Sequence, residues 1–196
     1  HMPFLLSFVV SLVSGLYTSL WGAFKDCPYE GFKARTFPRS IYFHAAIFVL
    51  LYYFPYFREK LFHLGLVQLF FLIMGLERFL AEIYKGFFRN EDQQKYFVPS
   101  RITFFGCHVE SDAVRYAAGV AIVGIVFGVL LIDIDVKDFG VFLVTGYGTG
   151  LIVSLGGAYK DAPFEGFKWL KFQRSAIVLS LSSPLFYFLN RIENPV

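Results

Sequence analysis

Hydrophobic positions occur along this chain in long blocks, and not at the three-to-four-residue spacing of a helix that faces water on one side. Each block is close to the roughly 20 residues that cross a bilayer as a helix. A backbone in lipid must satisfy its own hydrogen bonds, so each block is predicted to be helical. The predicted spans are Phe4–Phe24, Ile41–Phe57, Leu61–Phe88, Ala113–Ile132, Phe139–Tyr159 and Ser175–Leu189. The pattern therefore predicts an all-α integral membrane protein with about six transmembrane helices, residues 1–196 forming a single transmembrane domain.

One stretch of the chain occurs twice. Residues 15–40 and 150–175 align without a gap at an offset of 135, and 16 of the 26 aligned positions are identical. Chance would give about one or two identities, so the copies are predicted to descend from one duplicated unit. Both contain K-D-x-P-x-E-G-F-K followed by F-x-R-S, between two apolar spans. We name these charged segments the elbows, and we predict helix–elbow–helix repeats at residues 15–57 and 150–190 that flank the third and fourth spans.

Composition supports the membrane assignment. The 196 residues are 56% hydrophobic and 20% aromatic, with only 17% charged residues to cover that apolar surface in water. The two cysteines, Cys27 and Cys107, are too few for a disulfide framework and are expected to be reduced thiols. No motif indicates a cofactor or a nucleic-acid interface, so neither is expected. No standard metal-ligand spacing occurs either, although Cys107 and His108 leave a metal interpretation open.

Positive charge is distributed unevenly between the two sides that alternating spans define. Thirteen lysines and arginines fall on one side, and four fall on the other. Because cytoplasmic loops of membrane proteins are enriched in these residues, the richer side is predicted to be cytoplasmic. Both elbows and residues 89–112 then face the cytoplasm, and both termini lie outside a plasma or inner membrane. The two repeats have the same orientation in this topology, so the duplication is parallel.

The elbows hold the first set of candidate functional residues. They are Lys25, Asp26, Glu30 and Arg39 in the first copy and Lys160, Asp161, Glu165 and Arg174 in the second. One interpretation is structural: the aspartate caps a turn, proline begins it, glycine ends it, and the cations anchor the loop among lipid headgroups. The other is functional, because capping requires neither the glutamate nor the arginine. The two elbows would then be half-sites that meet at the pseudo-axis.

Glu77, Arg78 and Glu82 are a second set of candidates, since they lie inside the third apolar span. Ionisable groups within a bilayer are costly and face a protein interior or water, so they are functional candidates. The four-residue spacing predicts an Arg78–Glu82 ion pair. The charged stripe continues on the same helical face to Lys85 and Arg89. The alternative is that the helix leaves the membrane near Arg78 and that the stripe is a solvated surface.

The segment Gly75–Glu82, with Arg89 and Asp92-Gln93 after it, resembles the G-x-x-R-F-x-x-E segment of bacterial prolipoprotein diacylglyceryl transferases. The resemblance implies a role for Arg78 in binding a lipid headgroup and for Glu82 in proton transfer. It covers a small part of the chain.

Three functions fit these patterns. The first is a channel or transporter for an ion or a small anionic solute, with Glu77, Arg78 and Glu82 midway along the path and the elbows forming a cytoplasmic vestibule. The second is a membrane-embedded enzyme that acts on a phosphate-bearing lipid headgroup, with arginines gripping the phosphate. The third is a membrane scaffold without turnover. The expected partners are membrane lipids and a small ion or anionic ligand, and self-association is left open.

Overall fold

A computed structural model describes residues 3–90, 92, 101–104, 107–131, 139–141, 143–148, 150–151, 166 and 168–193. The helices are α1 (Phe4–Glu30), α2 (Arg39–Tyr53), α3 (Pro55–His63), α4 (Leu66–Ile83), α5 (Asp112–Leu130), α6 (Phe139–Gly148) and α7 (Trp169–Glu193). A π-helical turn, Tyr84–Phe88, follows α4, and β1 (Thr103–Phe104) pairs with β2 (Cys107–His108) in an antiparallel hairpin. The chain forms two compact units, unit 1 (His1–Leu80 with Leu189–Val196) and unit 2 (Ala81–Phe188). The predicted helical character is confirmed.

One helical segment of the described chain, Phe4–Phe24, is long and apolar enough to cross a membrane. The pair Arg39–Tyr53 and Pro55–Leu61 meets the same criterion together, but the two helices are bent by 112°. Pro55 is the first residue of α3 and cannot donate a backbone hydrogen bond into α2, so the chain turns there. The structure thus supports one span of the predicted length, and the six-span topology stays a prediction.

The third predicted span differs most from the structure. Leu61 lies in α3, and α4 begins only at Leu66 after the break at residues 64–65. At the other end the α-helix stops at Ile83, and the π-turn carries the chain to Arg89, whose N–H donates to the Tyr84 carbonyl over 2.8 Å. A continuous charged stripe from Arg78 to Arg89 is therefore wrong, because the π-turn changes the angular spacing of the side chains.

Helix α1 buries hydroxyl groups and exposes large apolar side chains. Its buried polar residues are Ser7, Ser11, Ser14, Thr18 and Ser19. By contrast, Leu5 is 70% exposed and Phe24 is 78% exposed. The first four hydroxyl residues follow steps of four, three and four, which places them on one face of the helix. The interior side of α1 is therefore its polar side.

Gly15 sets the distance between α1 and α2. A Cβ at this position would lie 2.6 Å from the Cα of Ile41 and 3.1 Å from the Ser40 carbonyl oxygen. Only hydrogen fits there, so the two backbones come close enough for side chains on one helix to reach carbonyls of the other.

Two aromatic contacts occur at positions 135 residues apart. In unit 1 the rings of Phe4 and Tyr52 lie 4.7 Å apart at 63°. In unit 2 the aligned pair, Phe139 and Tyr187, lies 5.5 Å apart at 70°. The first pair joins α1 to α2, and the second joins α6 to α7. The duplication stays a prediction that rests on the sequence alignment.

A second pair of contacts follows the same alignment. Ser11 on α1 donates from its hydroxyl to the His44 carbonyl over 3.0 Å. Gly146 on α6 aligns with Ser11, and a Cβ there would lie 2.8 Å from the carbonyl oxygen of Leu179, which aligns with His44. Residue 11 and its aligned residue 146 thus lie against the aligned carbonyls of residues 44 and 179.

The first elbow begins where α1 ends. Helix α1 continues through Asp26 and Pro28 to Glu30, and Gly31 ends it with a φ of 71°, its N–H donating to the Cys27 carbonyl. A positive φ is inexpensive only for glycine, as predicted for this position. The predicted capping role of Asp26 is wrong, because Asp26 lies inside α1. Gly166, the aligned glycine of the second elbow, has a φ of 72°, and Asp161 lies outside the described residues.

The helix after the elbow starts at different positions in the two copies. Helix α2 begins at Arg39, directly after Pro38, whereas α7 begins at Trp169, before the aligned Arg174. Proline lacks the N–H of a helical hydrogen bond and disfavours helical geometry in the residue before it. Gln173 replaces Pro38 in the second copy and has neither restriction, so the helix extends through it.

We expect Gly15→Ala to destabilise the protein by about 1–3 kcal/mol, because the added methyl group would force α1 and α2 apart. Gly22→Ala is the matched control on the same helix, since a Cβ at Gly22 would meet nothing within 4 Å. That change should leave stability unchanged or raise it by roughly 0.5–1 kcal/mol. Thermal unfolding in detergent, followed by circular dichroism, compares the two. Equal midpoints would show that the close approach at Gly15 does not limit stability.

Candidate functional site

Polar side chains of α1, α2 and α4, all buried except the half-buried Ser40, lie along the contacts between these helices in unit 1. We name this group the polar seam; its members are Ser11, Ser14, Thr18, Ser40, His44 and Glu77. Ser11 reaches α2, and Ser14 donates its hydroxyl to the Phe70 carbonyl on α4 over 2.9 Å. The two serines lie three residues apart on α1 and so bind both neighbouring helices from one face.

His44 lies at the centre of the polar seam and has no exposed surface. Its Nδ1 lies 2.7 Å from the Ser40 carbonyl oxygen, four residues earlier on α2. A carbonyl can only accept, so Nδ1 carries a proton. The other ring nitrogen, Nε2, lies 3.5 Å from the Thr18 hydroxyl oxygen on α1. A neutral imidazole ring can therefore donate a hydrogen bond to α2 and accept one from α1, so each ring nitrogen has a hydrogen-bond partner.

Glu77 contributes the only carboxylate of the polar seam. Its side chain is 7% exposed, and its Oε1 accepts a hydrogen bond from the Ser40 hydroxyl over 3.2 Å. The Nε of Arg78 lies 2.8 Å from Oε2, but its N–H is not directed at that oxygen. Oε2 thus has an ion-pair contact and no hydrogen bond. Glu77 is thus a buried carboxylate with one hydrogen-bonded oxygen and one oxygen in contact with a cation.

The contacts exclude one obvious reading of these residue types. Serine, histidine and glutamate can form a nucleophilic triad, in which the imidazole takes the hydroxyl proton. Here the His44 ring contacts the carbonyl of Ser40, and the Ser40 hydroxyl donates to Glu77 instead. His44 is therefore not placed to take the Ser40 hydroxyl proton, and the three residues do not form such a triad. The arrangement suits the holding of a charge better than attack on a substrate.

An apolar groove of about 300 Å³ lies beside the polar seam, between α1 and α4. Its walls are Val9, Val10 and Val13 of α1 and Leu66, Val67, Phe70 and Phe71 of α4. Phe70 also provides the carbonyl that Ser14 binds, so groove and seam share one stretch of α4.

The structure brings together only part of the second predicted set of residues. Arg78 pairs with its chain neighbour Glu77, and the predicted Arg78–Glu82 pair is wrong. Glu82 contacts Lys85, with 56% of the Glu82 side chain exposed. The buried charge in α4 is thus Glu77, because that position faces α2 whereas Glu82 faces outward.

Among the elbow candidates, Arg39 and Arg174 are the two whose side chains the structure describes. Lys25, Asp26 and Glu30 lie in the last turns of α1, where only the backbone is described. Arg39 begins α2 and Arg174 lies in α7, and both side chains are exposed. Lys160, Asp161 and Glu165 lie outside the described residues. A shared site between the elbows stays a prediction.

Sequence reasoning missed the role of Ser40 and His44. A signal was present, because the hydroxyl residues of α1 at positions 7, 11, 14 and 18 recur at helical spacing inside an apolar block. Such a stripe marks the face of a membrane helix that packs on other helices. The histidine facing the stripe could not be identified in advance, since that requires the register of α2 on α1.

A second polar cluster, in unit 2, was also missed. Arg115 is 1% exposed and bonds Asp112, Asn90 and the carbonyl of Arg89. Cys27 and Cys107 are free and exposed. Among the residues that the structure describes, no group of three or more His, Cys, Asp and Glu side chains is arranged to hold a metal ion.

We expect Arg78→Gln to destabilise the protein by about 1–3 kcal/mol, because it leaves the buried Glu77 carboxylate without its ion-pair partner. The double variant with Glu77→Gln should lose less than the single variant, since no charge then stays buried. Lys85→Gln is the matched control, because its partner Glu82 is exposed, and we expect a change of at most about 1 kcal/mol. Chemical unfolding in detergent measures all three. If Arg78→Gln and Lys85→Gln change the free energy of unfolding equally, water solvates the Glu77 carboxylate.

The chain was compared with known proteins through family models, curated sequences and solved structures. No family model, curated protein or solved structure matches it. The likeness of Gly75–Glu82 to prolipoprotein diacylglyceryl transferases therefore remains local. The function of the chain is inferred from its own residues and contacts.

Proposed function

We propose that this chain is a small multi-pass membrane transporter for a proton or a small ion, and that Glu77 is its ion-binding carboxylate. The observation that carries the proposal is the buried Glu77 side chain, which has one hydrogen-bonded oxygen and one without a hydrogen bond. A carboxylate inside an apolar helical protein is costly, and such groups mark ion pathways and proton relays.

The multi-pass part of the proposal draws support from the surface of the helices. Large apolar side chains are exposed well beyond α1: Ile125 on α5 is 66% exposed, and Leu170 and Leu181 on α7 are 82% and 70% exposed. In water each of these side chains would keep its apolar surface hydrated, at a free-energy cost of about 25 cal/mol per Å². A bilayer removes that cost, while the hydroxyl face of α1 turns inward to find partners.

The polar seam fits the pathway role through its composition. Ser40 donates to Glu77 from its hydroxyl and accepts from His44 at its carbonyl, so a change in the charge of Glu77 acts on the same residue that orients His44. Arg78, half exposed, balances the carboxylate from the outer side. Binding of a proton or cation to Glu77 would weaken its contact with Arg78 and release that arginine. The elbows would form the cytoplasmic vestibule.

A second function is favoured by the apolar groove beside α4. An acyl chain fits a groove walled by valine, leucine and phenylalanine, and Arg78 lies seven residues after Phe71 on the same helix, about 10 Å along its axis. This arrangement suits a membrane-embedded enzyme or binder for a phosphate-bearing lipid headgroup. It would place Arg78 on the phosphate instead of on Glu77.

Reconstitution into liposomes tests the transporter proposal. A pH-sensitive dye inside the vesicles should report the dissipation of an imposed proton gradient. If the transported ion is another cation, an ion-selective dye should report its flux. Glu77→Gln should reduce that flux at least about tenfold with little loss of folded protein, because the group serves the ion. Glu82→Gln, an exposed carboxylate five residues further along α4, should transport normally. Flux through Glu77→Gln at the wild-type rate would exclude the proposed role.

Cysteine labelling tests the topology. Cys27 and Cys107 are first replaced by serine, and single cysteines are then introduced as Lys33→Cys, Lys168→Cys and Arg58→Cys. We expect an impermeant maleimide to label only Arg58→Cys in intact cells and all three after permeabilisation, because both elbows are predicted to be cytoplasmic. Labelling of Lys33→Cys or Lys168→Cys from outside would overturn this orientation.

A further inference from the structure

Two arginines of unit 2 share a single carboxylate oxygen. Arg115 NH2 lies 2.5 Å from Asp112 Oδ1, and Arg101 NH2 lies 3.7 Å from the same atom. The Arg115 side chain is fully buried, and the Arg101 side chain is 27% exposed. Two guanidinium charges thus meet one carboxylate charge at this point. These three side chains therefore carry a net positive charge, with Arg115 buried and Asp112 53% exposed.

Donors in this cluster lack acceptors. The Nε atoms of Arg101 and Arg115 are both buried and have no hydrogen-bond partner within the described structure. The hydroxyl of Thr103, the first residue of β1 and two residues after Arg101, is also buried without a partner. Buried donors without acceptors are rare in proteins and indicate a missing acceptor group.

The rest of the cluster is held rigidly. Arg115 NH1 donates to the carbonyl of Arg89 over 3.3 Å, NH2 also bonds Asn90, and the guanidinium lies 5.4 Å from the centre of the Tyr116 ring. Asn90 in turn donates to the Tyr116 hydroxyl. These contacts fix Arg115 at the start of α5 before any ligand binds, which lowers the entropic cost of binding.

The π-turn explains how these segments meet. It packs Phe87 and Phe88 against Gly119 of α5, where a Cβ would lie 2.8 Å from the Phe87 side chain. The chain then becomes extended at Arg89, and the backbone of Ile102 donates to the Gly86 carbonyl. The residues after the π-turn, the residues before β1 and the start of α5 therefore meet at Arg115 and Asp112.

We propose that Arg101 and Arg115, with Thr103, form a binding site for a phosphate group. A tetrahedral dianion offers several acceptor oxygens to guanidinium and hydroxyl donors, and arginine is the residue best suited to grip it. The phosphate could be free inorganic phosphate or part of an anionic lipid headgroup, since the recognition chemistry is the same. This site is independent of Glu77 and of the transporter proposal.

The experiment uses the full chain in phosphatidylcholine nanodiscs and inorganic phosphate as the probe. Isothermal titration calorimetry should show saturable binding, and Arg101→Gln should weaken it about tenfold or more. Arg101 is the residue to change because its partial exposure and long contact with Asp112 make loss of folding a small risk. Arg35→Gln, the same change at an exposed arginine of the first elbow, is the matched control and should alter affinity less than threefold. Asp112→Asn should tighten binding, because it removes the carboxylate that competes with phosphate for both arginines.

A second arm identifies the source of the phosphate. Native mass spectrometry after extraction from mixed bilayers should show phosphatidic acid retained over phosphatidylcholine if the ligand is a lipid headgroup, and this preference should vanish in Arg101→Gln. Saturable binding of inorganic phosphate without a preference for phosphatidic acid indicates that the ligand is free phosphate. Either result supports the proposed site. If neither signal depends on Arg101, if Arg35→Gln loses as much, or if folded Asp112→Asn loses binding, the cluster only joins α5 to the π-turn and the proposal is wrong.

Discussion

The hydroxyl face of α1 must find its hydrogen bonds inside the protein, and the fold of unit 1 follows from that requirement. An unpaired hydroxyl away from water costs about as much as several buried methylene groups contribute. Ser11 and Ser14 avoid the cost by donating to carbonyls of α2 and α4. Gly15, the next residue, lets α2 approach closely enough for the first of these bonds. One short stretch of α1 thus sets the position of both neighbouring helices.

The position of α2 in turn determines where charge can be buried. Ser40 lies opposite Gly15, and its hydroxyl meets the Glu77 carboxylate on α4. Ser40 is the last residue of the motif that the two elbows share, so the repeated segment reaches the buried carboxylate through its serine. Any change in the packing of α1 on α2 would alter the environment of Glu77, although the two lie on different helices.

Each unit also holds a buried charge that its partners do not fully satisfy. In unit 1 it is the carboxylate of Glu77, with one oxygen lacking a hydrogen bond, and in unit 2 it is the guanidinium of Arg115, with Nε lacking an acceptor. The two groups carry charges of opposite sign.

The sequence by itself determined the helical class, the span Phe4–Phe24, the glycine that ends α1 and the alignment of the two elbows, because each depends on local composition or on residues near in the chain. The break before α4, the π-turn after it and the partner of Arg78 were decided by tertiary structure. Helix ends and ion pairs inside an apolar block depend on which face of the helix packs against a neighbouring helix. The sequence of α4 alone does not specify that face. The cluster at Arg115 was beyond sequence reasoning for the same reason. Its members come from the segment after the π-turn, the segment before β1 and the start of α5, and the packing of Phe87 on Gly119 brings the first of these against the last.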